Sequence, residues 1–129
     1  MWDSRSVRRC ARALLWAVVA VSAVPVLAGK ADVVEAQATR EADGSYLFIV
    51  TVRHADTGWE HFADRFEVVG PDGAVIATRV LLHPHVDEQP FTRELSGVRI
   101  PAHVHTVVVR AHDNVHGLGG SEVTVRLGE

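Results

Sequence analysis

Sulfur is almost missing from this chain of 129 residues, which has one cysteine, Cys10, and one methionine, Met1. Both fall within the first ten positions. Everything after them is without disulfide, thiolate ligand, cysteine nucleophile or thioether ligand. Cys10 is not followed directly by a folded domain, as a lipoprotein cysteine would be. Long amphipathic helical patterns are absent too, and so are internal repeats. Basic charge is scarce: 13 Lys and Arg stand against 16 Asp and Glu.

Only one long apolar run exists, Ala13 to Val24, broken by Ser22 alone and followed by Pro25. Arg5, Arg8, Arg9 and Arg12 precede it, and Val26-Leu27-Ala28 follows with the small or aliphatic residues a signal peptidase accepts. Residues 1–28 therefore read as a cleaved signal peptide, with the cut after Ala28 and a mature domain over 29–129. The run is short for a membrane span, which needs about 20 residues; an uncleaved anchor is the alternative. Arg8-Arg9 suggests the twin-arginine route, but Val7 and Cys10-Ala11 fit it poorly, and the general secretory route is preferred. The expected location is periplasmic or secreted.

Four Arg and one Asp lie in that leader, which leaves 9 basic against 15 acidic residues, a net charge of about −6. Nucleic acid is a poor partner for so acidic a domain, because a basic face must replace the phosphate counterions. A basic amphipathic helix for membrane surfaces is lacking as well. About 100 residues without a disulfide must be held by an ordinary hydrophobic core, which that size permits.

Period-two apolar patterning dominates from Val33 onward. Strands are expected at Val33–Thr39, Tyr46–His54, Arg65–Val69, Val75–Leu82, Thr92–Leu95, Thr106–His112 and Glu122–Leu127. Asp43-Gly44 and Pro71-Asp72-Gly73 supply tight turns, and Gly97, Pro101 and Gly117 to Gly120 punctuate the rest. Alternation places Phe48, Val50 and Val52, then Val107, Val109 and Ala111, then Val123, Val125 and Leu127 on inward faces. Thr51, Arg53, Arg110, Thr124 and Arg126 should meet water. Seven short strands at these intervals predict an all-β sandwich of immunoglobulin-like or fibronectin-III-like type, with a small open barrel as the alternative. The Cys…Trp…Cys pattern of antibody domains is missing.

All eight histidines lie beyond the leader. They fall as His54 and His61, His83-Pro84-His85, His103-Val104-His105, and His112 with His116. Two imidazoles in an H-x-H pair on a strand share a face and reach one ion. With sulfur excluded, a metal site here is built of imidazole and carboxylate, which suits Zn(II), Cu(II) or Ni(II) and argues against a Cu(I) carrier or a blue-copper centre. In a seven-strand sandwich the loops after the second, fourth and sixth strands share one end, and they hold six of these histidines; His103 and His105 belong to the other end. Asp56, Glu60, Asp64, Asp87, Glu88 and Asp113 lie in or beside the same loops and can ligate or orient a ring. First-choice ligands are His83 and His85, completed by His112 and His116. Glu88, Arg93, Asp113, His54, His61 and Trp59 are the supporting or binding candidates. Against this stands the plainer reading that most of these rings cap backbone groups, pack, or face water, since H-x-H is a weak motif.

Other signals are weaker. Gly117 to Gly120 is not a phosphate loop, having neither a following helix nor a Lys-Ser/Thr. Trp59, Phe62 and Phe66 can cover the end of the core, or Trp59 can stack on a partner. His112-Asp113 has no serine in a nucleophile elbow to complete a triad. An enzyme is not expected, although His and carboxylates converging in loops leave acid–base chemistry open. The competing class is an interaction or structural module that docks on another envelope protein, with Trp59, Phe91 and Arg93 as anchors.

The chain carries Asp56-Thr57-Gly58-Trp59, Asp64-Arg65-Phe66-Glu67-Val68, Pro71-Asp72-Gly73 and the block His83-Pro84-His85-Val86-Asp87-Glu88-Gln89-Pro90-Phe91-Thr92-Arg93. With Val108-Val109-Arg110-Ala111-His112-Asp113 and His116-Gly117, they resemble a group of small exported bacterial proteins carrying an H-P-H-x-x-E-Q-P-F-T-R block. The resemblance spans most of the mature domain. It implies bacterial export, carries no activity, and draws attention to His83, His85, Glu88, Arg93, His112 and His116.

Overall fold

A computed structural model describes residues 29–128. The expected leader, residues 1–28, lies outside them. Seven strands follow one another without a helix: β1 Asp32–Arg40, β2 Tyr46–Arg53, β3 Ala63–Val69, β4 Val75–Val80, β5 Phe91–Val98, β6 Thr106–Asp113 and β7 Val123–Arg126. Each expected strand is present, with ends displaced by three residues or fewer. None of the described residues forms a helix long and apolar enough to cross a membrane.

The strands form two antiparallel sheets, β1-β2-β5 and β4-β3-β6-β7, packed as an immunoglobulin-like sandwich. β4 pairs with β3, from Arg65↔Val80 to Val69↔Val75, so the edge strand sits in the sheet opposite β5. Period-two alternation decides the packing, because successive side chains on a strand leave on opposite faces. From the first sheet Phe48, Val50 and Val52 point inward, and from the second Phe66, Val68, Val107, Val109 and Ala111, all at 2 % exposure or less. Phe91 opens β5 and joins them. Outside, Glu67 of β3 takes Arg110 Nε at 2.9 Å and Arg65 Nε at 3.4 Å.

Two inward stripes run on past the apolar core. The β2 stripe of Tyr46, Phe48, Val50 and Val52 continues one step past the strand to His54; the β6 stripe of Val107, Val109 and Ala111 continues to Asp113. Both continuations are buried, although both are polar. A register shift between Ala63 and Arg65 lets Ala63 pair with Asp113, while Arg65 pairs with His112. The loops after β2, β4 and β6 meet at this end. Asn114 stitches the first to the third: its N–H donates to Phe62 O (3.2 Å), its Oδ1 accepts from Phe62 N–H (2.9 Å) and its Nδ2 donates to Trp59 O (3.0 Å).

Candidate metal centre

Asp56 organises the end of the sandwich. Its side chain is fully buried. Oδ1 contacts His54 Nδ1 and accepts from the Ala63 N–H at 3.1 Å, while Oδ2 accepts from the His85 N–H at 2.7 Å. One carboxylate thus ties the loop after β2, the start of β3 and the loop after β4. Gln89 adds a second tie, accepting from the His54 N–H (3.0 Å) and donating to His85 O (2.9 Å).

The ring of His54 is the centre of the arrangement. Nδ1 faces Asp56 Oδ1; Nε2 faces Gly29 O at 3.0 Å and Asp113 Oδ2 at 3.5 Å. All three neighbours are acceptors. A neutral imidazole carries one proton and can satisfy only one side. With that proton given to Asp56, Nε2 presents a lone pair toward two oxygens, an arrangement relieved either by a second ring proton or by a cation bound beside Nε2. A carboxylate holding the far nitrogen of an imidazole is the usual way a metal-ligating histidine is oriented.

Asp113 makes the same demand. Its Oδ1 accepts from the Val115 and His116 amides at 2.8 and 2.5 Å. Its Oδ2 is buried with no hydrogen-bond partner. Burial works to raise this carboxyl's pKa, but the His116 and Val115 amides and the His54 and His116 rings outweigh it, so the group stays ionised to lower pH than usual. A buried carboxylate left half-satisfied costs several kcal/mol unless a positive charge compensates it.

Two further rings close on the same point. His61 Nε2 lies 3.5 Å from Asp113 Oδ1, and His116 Nδ1 lies 3.4 Å from Asp113 Oδ2 and 3.2 Å from His61 Nε2. His54, His61 and Asp113 each offer a ligand atom within 4.8 Å of the others. Tetrahedral donors at Zn–N distances of 2.0–2.1 Å stand about 3.3 Å apart. Three separations in the group are of that size: His54 Nε2 to Asp113 Oδ2 at 3.5 Å, His116 Nδ1 to Asp113 Oδ2 at 3.4 Å and His116 Nδ1 to His61 Nε2 at 3.2 Å; His61 approaches Asp113 through the other oxygen, Oδ1. His61 is mostly buried and His116 is partly open to solvent, so the group is closed on the core side and accessible on the other.

The remaining candidates lie around this group. No three of His83, His85, His112 and His116 meet as His54, His61 and Asp113 do among the described residues. His85 is buried on the far side of Asp56, stacked on Phe91 with ring centroids 4.0 Å apart. Both of its ring nitrogens lack partners, and burial holds its pKa below the usual value, with Arg93 and His83 adding to the effect. His83 is exposed, packs over His85 at 4.6 Å and has Nδ1 on Pro84 O at 3.0 Å. His112 precedes Asp113 on β6 and so leaves on the opposite face, where Asp64 Oδ1 meets its Nδ1 at 2.6 Å. Glu88 pairs with Arg93 at 2.9 Å, Arg93 lies over the Phe91 ring at 5.6 Å, and Trp59 is 66 % exposed, edge-on to Phe62. Sequence reasoning places Asp56 only among several loop carboxylates and does not reach Gly29. The spacing His54-x-Asp56 is a faint signal for the first; for the second there is none.

The chain is similar to a Halomicrobium mukohataei protein named "Putative lipoprotein", at 35 % identity over 96 residues. The match takes in 74 % of this chain and 47 % of that protein, so the chain spans about half the length of the curated relative. No family model matches the chain, and no solved structure does.

Proposed function

We propose that this domain is an exported metal-binding module that holds one divalent ion between His54, His61 and Asp113, with His116 completing the shell from the solvent side. The observation that carries the proposal is His54: one imidazole, fully buried, with oxygen acceptors at both ring nitrogens. Three imidazoles and a carboxylate form a borderline nitrogen–oxygen donor set, which favours Zn(II) or Cu(II) over Mg(II) or Ca(II). The export part rests on the leader pattern of residues 1–28 and is supported by the name of the relative. Binding, not turnover, is the activity proposed.

The test is metal content followed by calorimetric titration with Zn(II), Cu(II) and Ni(II), on protein purified without a histidine tag. One equivalent should bind with Kd at or below about 1 μM, roughly −8 kcal/mol. His61→Ala and Asp113→Asn should abolish that event, whereas His83→Ala and His112→Ala should leave it within a few-fold. Stoichiometric binding that survives His61→Ala and Asp113→Asn but disappears with His83→Ala would move the site to the His83–His85 pair.

A second reading, docking on another envelope protein, has an observation of its own. Trp59, Leu82, Val86 and Val115 are large apolar residues more than half exposed, and all four sit in the three loops of this end. Aromatic anchors of that kind often dominate interfaces. A captured partner that is lost with Trp59→Ala, in protein that takes up no metal, would favour it.

A further inference from the structure

The amino-terminal strap is fixed over the His54 ring. Gly29 O stands 3.0 Å from His54 Nε2, the nitrogen that also faces Asp113. The strap is held there by close backbone packing. Ala31 is fully buried, Val33 N–H donates to Ser121 O at 2.8 Å, and Ser121 N–H donates to Asp32 Oδ1 at 2.7 Å. Gly120 runs so near that a β-carbon on it would sit 1.9 Å from the Ala31 carbonyl oxygen. β1 then pairs directly with the end of β2, Asp32 opposite Arg53. Gly29 therefore reaches His54 by sheet register, not by chance contact of a tail.

Gly29 is also the residue that cleavage after Ala28 would make the amino terminus. Before the cut its nitrogen is a peptide amide, with the lone pair drawn into the C–N bond. Such a nitrogen is a poor ligand. After the cut it is a primary amine, and that amine and the Gly29 carbonyl oxygen can close a five-membered ring on one ion. Glycine has no side chain to obstruct the approach. The Gly29–His54 contact lines an open cavity of about 410 Å³ with Arg53, Ala55, Gly119 and Gly120.

We propose that export processing completes the metal centre: the Gly29 amine and carbonyl chelate the divalent ion beside His54 Nε2. This rests on the proposed metal site and adds a ligand to it. The precursor then has an imidazole–carboxylate site only, and the processed protein a tighter one. Cu(II) should gain most, since it favours tetragonal nitrogen–oxygen sets.

The chain is exported with its own leader, recovered, and its terminus read by intact mass. A second form carries one extra alanine between Ala28 and Gly29 and is also checked by mass. Both are titrated with Cu(II) and Zn(II). Pulsed electron paramagnetic resonance of the Cu(II) form is then recorded after growth on ¹⁵N-glycine. The expected result is a Gly29 terminus, at least about tenfold weaker Cu(II) binding in the extended form, as for loss of one tethered donor, and a directly bound ¹⁵N in the processed form only. Equal affinities without glycine ¹⁵N coupling would overturn the chelate and leave the histidine–carboxylate site standing. So would a terminus other than Gly29. No binding by either form would remove both proposals together.

Discussion

His54 Nε2 and Asp113 Oδ2 face each other at 3.5 Å across the closed end of the sandwich, each fully buried and each ending the inward stripe of a different sheet. A core that is apolar for four positions on β2 and three on β6 thus finishes in an imidazole and a carboxylate. Oδ2 has no hydrogen-bond partner and Nε2 has only acceptors around it. The pair is either an ion pair with a doubly protonated ring or two ligands of a cation. The two cases respond differently to substitution.

Asp113→Asn separates them. It keeps an oxygen for the Val115 and His116 amides and removes the charge. If the pair serves a metal, the metal-free variant should be about as stable as the parent, because both amides keep their acceptor and no ion pair is broken. If it is an ion pair, the variant should lose about 3–5 kcal/mol. In the parent, ion at about 100 times Kd should add about 2.7 kcal/mol, raising Tm by roughly 10–20 °C at 4–8 °C per kcal/mol. Melts with and without chelator measure both.

Asp56→Ala should weaken the fold and the site together. It strips two buried amides, Ala63 and His85, of their acceptor, at about 1–3 kcal/mol each. It also frees the His54 ring, and loss of such an orienting carboxylate typically lowers metal affinity 10–100-fold. Urea denaturation and metal titration read the two effects. Unchanged affinity in a folded variant would show that His54 is not a ligand.

His85 predicts an acid limb in stability. Burial disfavours its charged form and places its folded pKa below 6.5, so the unfolded chain binds the proton more readily. The contribution is complete above about pH 6.5, declines as pH falls below that, and is fully lost below the folded value. His85→Phe keeps a ring on Phe91 and should flatten the slope of unfolding free energy across this window. The comparison is made in chelator, and parallel slopes for parent and variant would refute it.

Gly120→Ala should detach the strap. A β-carbon 1.9 Å from the Ala31 carbonyl oxygen cannot be accommodated without moving backbone. Overpacking of this kind costs on the order of 1–3 kcal/mol. Amide exchange should quicken at Val33 and Ser121 while β3 and β6 keep their protection. Retained protection at both Val33 and Ser121 would show that the added methyl is absorbed without separating the strap from the loop after β6.

Much of this was legible from spacing. Period-two alternation defines all seven strands, since a strand with one buried face must alternate. Seven strands in sandwich order then predict that the loops after β2, β4 and β6 share an end. Extending the alternation one step would have ranked Asp113 above His112, because 107, 109 and 111 point inward and 113 comes next. The H-P-H block points to His83 and His85 instead; the fold stacks His85 on Phe91 and packs His83 over His85, beyond Asp56, away from the His54 group.

The sequence by itself determined a disulfide-free β-sandwich with imidazole and carboxylate as its side-chain ligand chemistry, because there is no sulfur after Cys10 and periodicity dictates strands. Which rings converge was decided by the tertiary structure alone. The register shift at Ala63, the pairing of Asp32 with Arg53 and the reach of Asp56 across two loops depend on contacts between strands far apart in the chain. Local sequence has no means of encoding those distances.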